Sequence, residues 1–385
     1  MSEFQQNRKG KFVTTVRDII LGGLAPGAVF GSLALIYIFW PLHNVKEQVG
    51  FRGVGMVQFK PAEDVAVLEE LNVVPENQAG PPIEPLEDEE LAGDVYENVK
   101  VLGDLTVANF TRLMVAMTAW VSPEQGCNYC HAGADEGNYA GEELYTKHVA
   151  RRMIQMTQHT NENWQTHVGM TGVTCYTCHR GQNVPQYHFY EEPRPAGSAM
   201  LGDNTMLQNR SDATAGYSSL PGDPLTAFLL EQYPIRVADS VPRITAFGAS
   251  LQDTEWTYSL MFHFSQSLGV NCTYCHNSRA WGEWDQSPPQ RITAWYAVRM
   301  IRDLNQNYMH NLEWYPDDRL GPLGDAPKAN CTTCHQGVAK PLYGVSMLDD
   351  WPELRTTGKP VYGTPDATSE ADTSERAEAG TQAAN

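Results

Sequence analysis

Four copies of one short motif constrain this 385-residue chain more than any other feature. The chain has eight cysteines, which form four C-x-x-C pairs, and a histidine directly follows each pair. The motifs are Cys127–His131, Cys175–His179, Cys272–His276 and Cys331–His335. No cysteine of the sequence lies outside these motifs, so the chemistry of the thiols must be the chemistry of the motifs.

The C-x-x-C-H pattern is typical of covalent attachment of haem c. The two thiols form thioethers with the haem vinyl groups, and the histidine becomes an axial ligand of the iron. A zinc site would gather two pairs and would not need a histidine after each, and a disulfide would leave the histidines unexplained. The sequence therefore predicts four haem c groups. Their thioether residues are Cys127, Cys130, Cys175, Cys178, Cys272, Cys275, Cys331 and Cys334, and their proximal ligands are His131, His179, His276 and His335.

The motifs belong to an internal repeat. The segment "LMVAMTAWV" (113–121) matches "LMFHFSQSL" (260–268), "ARRMIQMTQ" matches "AVRMIRDLN", and "GVTCYTCHRGQNVP" matches "KANCTTCHQGVAKP". Each half has two blocks, and each block is a methionine-bearing helix followed by a motif. No stretch alternates convincingly as a strand. We expect a mostly α fold with extensive irregular structure, two pseudo-symmetric halves and one N-terminal transmembrane helix.

Methionines at matching places in the repeat are candidate sixth ligands. Met114, Met153 and Met261 each lie on a helix that precedes a motif. A methionine on an apolar helix face ordinarily packs in a core, but its recurrence in each block favours ligation of the first, second and third irons. Methionine opposite histidine raises the reduction potential of a haem.

The fourth site is ambiguous in the sequence. Met300 is separated from Cys331 by an inserted stretch, "YPDDRLGPLGDAPKAN", so either Met300 or a histidine from elsewhere could be the ligand. His167 stands before Cys175, where the matching position before Cys331 is Leu323, and this departure from the repeat fits a ligand or a surface histidine equally. The histidines outside the motifs are His43, His148, His159, His167, His188, His263 and His310.

An uncharged stretch near the start predicts a membrane anchor. Residues 19–42 would span about 36 Å as a helix, and they follow a basic segment. Tyr37 and Trp40 suit the far interface. A cleaved signal peptide is less favoured, because the apolar run exceeds the usual signal core and ends in bulky residues. The N-terminus would then be cytoplasmic and the motifs would lie outside the cytoplasm.

The remaining segments follow from composition and from the repeat. The formal net charge of −19 argues against nucleic acid as a partner. A proline-rich acidic stretch precedes the first half, and the end of the chain has no large apolar anchor. The predicted segments are 1–18 (basic N-terminus), 19–42 (anchor), 43–100 (strap and acidic linker), 101–190 (first di-haem half), 191–245 (connection), 246–345 (second di-haem half) and 346–385 (extension, disordered at its end).

The chain resembles the tetrahaem cytochrome c subunit of purple-bacterial photosynthetic reaction centres. The resemblance covers Phe51–Tyr343 and rests on the four motifs, the three helix methionines, "GFRGVGMVQ" (50–58) and "GYSSLPGDPLTAFL" (216–229). It implies that His167 crosses between blocks to ligate the fourth iron and that Met300 only packs. It also implies a row of haems, with the third nearest the special pair, then the fourth, second and first. Tyr217 would lie between the third haem and the special pair, although a packing tyrosine is an equal alternative.

The resemblance also implies an electron-transfer subunit rather than an enzyme. The chain would re-reduce the photo-oxidised special pair of the L and M subunits, with the H subunit and the antenna complex nearby. Its donor would be a soluble periplasmic c-type cytochrome or a high-potential iron–sulfur protein. The location implied is the inner photosynthetic membrane, with the haem domain periplasmic. The alternative is a membrane-anchored tetrahaem quinol dehydrogenase, which would use histidine at most sixth positions.

Overall fold

The fold is mostly helical. The computed structural model describes residues 27–38, 44–193, 212–235, 237, 251–309 and 315–358. The helices are α1 (residues 27–38), α2 (Ala62–Leu71), α3 (Ala92–Val95), α4 (Val107–Val121), α5 (Tyr145–Asn163), α6 (Gln165–Val168), α7 (Cys175–His179), α8 (Leu251–Leu268), α9 (Gln290–Leu304) and α10 (Cys331–His335). Short strands β1 (Asn44–Val49) and β2 (Met56–Pro61) pair with each other, as do β3 (His188–Phe189) and β4 (Lys328–Ala329). The predicted mixture of helix and irregular structure is confirmed.

The predicted membrane span is only partly within the described residues. Helix α1 covers its centre and exposes Phe30, Leu33 and Ile36, while 19–26 and 39–42 lie outside the described part. Among the helices of the described ranges, none is both long enough and apolar enough to cross a membrane. The prediction of a transmembrane helix is therefore not supported by this structure.

The described residues divide into two compact units. The first comprises those up to residue 47 together with 57–67, and the second comprises 48–56 and everything from residue 68 onward. All four C-x-x-C-H motifs and all candidate ligands belong to the second unit.

The internal repeat is also present in the backbone. Helix α4 packs against α7 in the first half, and α8 packs against α10 in the second. The Gly181 N–H donates to the Trp120 carbonyl at 2.9 Å, and the Gly337 N–H donates to the Ser267 carbonyl at 2.9 Å. Both glycines have positive φ, 80° and 84°, a conformation that other residues rarely adopt. The same turn therefore fastens the second motif of each half to the first methionine-bearing helix of that half.

The motifs take two local forms. The second and fourth form one-turn helices, α7 and α10, each begun by a capping box. The Thr174 N–H donates to Thr177 Oγ1 at 2.9 Å, and the Asn330 N–H donates to Thr333 Oγ1 at 2.9 Å. The first and third motifs form 3₁₀ turns over Gly126–Tyr129 and Cys272–Tyr274. The alternation of two forms follows the repeat, because each half contains one of each.

The segment after residue 345 packs into the core of the first half, although the sequence suggested an extension from residue 346. Its apolar side chains join Leu113 and Trp120 of α4 in one buried cluster. Residues 359–385, where the disordered end was predicted, lie outside the described part. The segment's buried apolar residues are Met347, Leu348, Trp351 and Leu354.

A buried ion pair fastens this segment to α4. Arg112 Nη2 lies 2.9 Å from Glu353 Oε1, and both side chains are almost inaccessible. Arg112 also stacks on the Trp351 ring at 4.0 Å and donates to the carbonyls of Gly80 and Asp350. Burial raises the pKa of Glu353. The carboxylate therefore needs the charge of the neighbouring guanidinium to remain ionised in the core.

We expect Arg112→Ala to destabilise the protein by about 3–5 kcal/mol, because it leaves a buried carboxylate without its partner. The matched control is Arg355→Ala, which breaks an exposed pair with Asp349 and should cost no more than about 1 kcal/mol. Chemical denaturation of the haem-loaded protein measures both. Equal losses in the two variants would contradict the structural role of the buried pair.

Candidate haem sites

All four motif histidines use Nδ1 in a hydrogen bond, which leaves Nε2 available to bind a metal. In each, the Nδ1–H donates to a backbone carbonyl a few residues onward, which directs the lone pair to Nε2. That tautomer is the one in which Nε2 can ligate a metal. The pairs are His131 with Tyr139 at 2.9 Å, His179 with Gln182 at 2.8 Å, His276 with Trp281 at 2.9 Å and His335 with Val338 at 3.0 Å.

Burial keeps these imidazoles neutral. Desolvation lowers the pKa of His131, His179 and His276, and it lowers the pKa of His335 to about 4. A neutral imidazole is the form that binds a metal. The hydrogen bonds and the burial therefore both favour a neutral imidazole with an unprotonated Nε2 in all four motifs.

The thiols are poor candidates for dithiol redox chemistry. Burial raises the pKa of Cys175 and Cys331 to about 12, and it raises the pKa of Cys130 and Cys275 to about 11. Because the thiolate is the reactive form, reactive C-x-x-C pairs have a lowered cysteine pKa. These four shifts go in the opposite direction and favour haem attachment, whereas a hydrogen bond with Cys178 lowers the pKa of Cys334.

A cavity of about 850 Å³ joins the first two motifs. Met114 and Met153 line it together with His131 and His179, so each predicted methionine faces the same space as its predicted histidine partner. Its volume falls within the range of about 300–1,000 Å³ that is usual for sites enclosing a ligand of drug size. The donor set and the size of the cavity fit haem. The motif cysteines on its wall are Cys127, Cys130, Cys175 and Cys178 of the first two motifs, together with Cys334 of the fourth.

The third site is built on α8. This helix carries Met261, which packs against the cluster containing Trp256 and Leu260. Tyr217 lies in a neighbouring turn, with a left-handed φ of 54° and a side chain that is 74% exposed. A Cβ on the preceding residue, Gly216, would come within 3.2 Å of the Phe262 ring, so this turn lies against α8. Tyr217 therefore does not pack in the core.

His167 and His335 face each other at the fourth site. Their ring centroids are 6.0 Å apart. Two metal–nitrogen bonds of about 2 Å, with the two half-rings, require a separation of about 6 Å. His167 also donates its Nδ1–H to a carbonyl, that of Thr293 at 3.1 Å, as the motif histidines do. The pair fits an iron held between two Nε2 atoms.

Two asparagines explain why the methionine of the fourth block is out of register. Asn161 exchanges two hydrogen bonds with Val173, which lies two residues before Cys175. Asn305 does the same with Ala329, two residues before Cys331. Met153 precedes its asparagine by eight residues, whereas the residue eight before Asn305 is Ala297.

Ala297 thus takes the place that Met153 has in the second block. Met300 lies one turn further on, about 4.5 Å along the axis, and is only 5% exposed among core residues that include Leu304 and Cys331. The small side chain of Ala297 lies one turn beyond Thr293, the carbonyl of which accepts from His167. The register shift places Ala297 rather than a methionine at the position equivalent to Met153, although Met300 still lines the cavity that Met153 lines.

The second and fourth motifs meet where the two halves join. Helix α7 packs against α10, and β3 pairs with β4 beside them. The Cys178 and Cys334 sulfurs lie close enough to form a hydrogen bond as free thiols. The attachment points of the second and fourth haems are therefore neighbours.

Comparisons with known proteins identify the family. A sequence model described as "Photosynthetic reaction centre cytochrome C subunit" matches residues 41–355. The chain belongs to this family. It is 47% identical to the reaction-centre cytochrome c subunit of Thermochromatium tepidum over 316 residues, which cover 81% of this chain and 75% of that protein.

Two further reaction-centre cytochrome c subunits are similarly close. The one from Roseobacter denitrificans is 46% identical over 360 residues, 89% of this chain and 94% of its own. The one from Rubrivivax gelatinosus is 47% identical over 313 residues, 80% and 82%. Members of this family are electron-transfer subunits rather than enzymes, and so is this chain. The family implies covalently bound haem c. The alternative of a quinol dehydrogenase has no support.

Sequence reasoning missed the residues that orient the ligands. The carbonyls that accept from the histidines carry no signal in the sequence, because every residue has one. The equivalence of Asn161 and Asn305 is not visible when the two halves are aligned on their methionines. Matching Met153 to Met300 sets Gln158, not Asn161, opposite Asn305.

Proposed function

We propose that this chain carries four haem c groups and re-reduces the photo-oxidised special pair of a purple-bacterial reaction centre. Each haem iron, when bound, alternates between the ferric and ferrous states and so transfers one electron. The observation that carries the proposal is the common state of the four motif histidines, each hydrogen bonded at Nδ1 with Nε2 free, in a chain of this family.

The chain's own residues would hold and tune these groups. Each cysteine pair attaches one haem, and His131, His179, His276 and His335 supply the proximal ligands. Met114, Met153 and Met261 would be the sixth ligands of the first three irons, which raises their potentials. His167 would be the sixth ligand of the fourth iron, with Met300 as a packing residue. The support for this last assignment is the 6.0 Å spacing of His167 and His335 and the shifted register of Met300.

The proposed order of electron transfer runs from the first haem through the second and fourth to the third. The closeness of Cys178 and Cys334 supports the middle step. The third haem would lie nearest the special pair on the L and M subunits, with Tyr217 between them and with the H subunit and the antenna complex nearby. The donor to the row would be a soluble periplasmic c-type cytochrome or a high-potential iron–sulfur protein.

Flash-induced absorbance in native membranes tests this function. After a short flash, a haem α-band should bleach within microseconds, in step with re-reduction of the special pair. The oxidised haem should then recover faster when a soluble donor is added. Slow recovery of the special pair with no haem response would rule out the proposed role.

The fourth-site ligands can be tested by exchange. His167→Met should raise one of the four reduction potentials, because methionine replaces histidine opposite His335. We expect at least a tenfold change in that reduction equilibrium, which is about 59 mV for one electron. The control Met300→Leu should leave all four potentials unchanged in an optical redox titration. A shift in Met300→Leu but not in His167→Met would reverse the assignment.

We also propose that residues 19–42 form a single-pass anchor, with the N-terminus cytoplasmic and the haem domain periplasmic, and that the other segments assigned from the sequence hold except for the residues after 345 that pack in the first half. The supporting observation is the uncharged run behind a basic segment. An integral anchor should survive washing of the membranes with high salt or alkaline carbonate, and a chain lacking residues 1–42 should be released by the same wash from membranes without the L and M subunits. Retention of that shortened chain would argue against the anchor.

A further inference from the structure

A guanidinium lies at the junction of the second and fourth motifs. Arg180 ends α7 in a left-handed conformation, with φ 51° and ψ 39°, and its side chain is partly buried. The guanidinium also lies over the Tyr176 ring at 5.5 Å. Within the described part of the chain, its hydrogen bonds end on neutral oxygens: Thr177 O at 3.1 Å, Leu71 O at 3.1 Å, Asn72 Oδ1 at 3.2 Å and Cys334 O at 3.4 Å.

Arg180 therefore touches both motifs. It follows His179 directly in the second motif, and it donates to the carbonyl of Cys334 in the fourth. The acceptors share and orient its charge without cancelling it. Because arginine is not deprotonated in proteins, the junction holds a permanent positive charge.

The repeat has a neutral residue at the equivalent position of the other half. Gln336 follows His335, has a left-handed φ of 47° and is buried. Its Nε2 donates to the Thr333 carbonyl at 3.4 Å, as Arg180 Nε donates to the Thr177 carbonyl. The turn and its hydrogen bond can therefore form without a cation, so the charge of Arg180 is not required by the local fold.

We propose that the positive charge of Arg180 raises the reduction potentials of the second and fourth haems together. The inference rests on the proposed haem ligation. An oxidised haem has one more positive charge than a reduced one, so a fixed cation nearby favours the reduced state. Partial burial reduces the screening of that charge by water and salt.

This placement has a consequence for the proposed order of transfer. A haem with two histidine ligands has a lower potential than one with methionine, so the fourth haem would be an uphill step in the row. A cation shared by the second and fourth haems raises both potentials, so it leaves the difference between these two unchanged and raises the pair relative to the first haem. Arg180 would thus favour entry of an electron from the first haem into the central pair without changing any ligand.

Redox titration of the intact reaction-centre complex, followed at the haem α-bands, tests the proposal. Arg180→Gln introduces the residue that the repeat already accommodates in this conformation. It should lower two of the four potentials, with about a tenfold shift of each equilibrium, or about 59 mV, while the other two shift less. Arg180→Lys, which keeps the charge, should retain most of the wild-type potentials.

The matched control is Arg355→Gln, which removes a cation from the exposed pair with Asp349 and should leave all four potentials in place. The proposal is overturned if Arg180→Gln leaves the potentials unchanged, or if Arg180→Lys or Arg355→Gln lowers them as much as Arg180→Gln does. A covalent haem count on the wild-type chain tests the proposed function separately, because fewer than four haems would refute that function without any variant.

A second variant decides the question if Arg180→Gln fails to assemble. Gln336→Glu keeps the size of the side chain and adds a negative charge on the fourth-motif side of the junction. If the local field sets both potentials, this variant should lower the same two potentials. Potentials that stay at wild-type values in Gln336→Glu would overturn the proposal.

Discussion

The arrangement depends on one interaction repeated four times, the hydrogen bond from a histidine Nδ1–H to a nearby backbone carbonyl. The Nδ1···O distances are between 2.8 and 3.0 Å, and the bond leaves Nε2 of each imidazole as the nitrogen that can bind a metal. The motif turns, the capping boxes and the glycines that follow α7 and α10 all serve to hold that ring. His167 and His188 make the same bond although neither belongs to a motif, but the ring of His167 lies 6.0 Å from that of His335, which supports its proposed role as the sixth ligand of the fourth iron.

The two halves share their backbone hydrogen bonds but differ in the side chains that decide chemistry. The Trp120 and Ser267 carbonyls accept from equivalent glycines, while their side chains differ greatly in size. Ala116 faces α7 where the buried His263 faces α10 and hydrogen bonds to Ser267, so a small and a large residue have exchanged along one helix face. Repeats of this kind conserve the pattern of backbone contacts, because a turn tolerates many side chains but few φ and ψ values.

The departures from the repeat coincide with the places where the proposed sites differ. Ala297 stands where the second block has Met153, and His167 of the other half is the proposed ligand of the fourth site. Arg180 stands opposite Gln336, and one charge is left between two motifs. In the first half, the segment from Met347 to Leu354 packs into the core, and the buried ion pair of Arg112 and Glu353 holds it there. Each departure changes the ligand, the charge or the covering of a site while the backbone scaffold stays the same.

The sequence by itself determined the motifs, the proximal histidines and the repeat, because covalent attachment requires fixed spacings between neighbouring residues. The helices that bear Met114, Met153 and Met261 followed from their periodicity for the same local reason. The proposed fourth site rests on the tertiary structure, since the distance between His167 and His335 depends on how α6 packs against α9 and on the register set by Asn305. The tertiary structure alone brought Arg180 to Cys334, residues that are 154 positions apart. Contacts of that kind depend on packing over long separations, which no local spacing encodes.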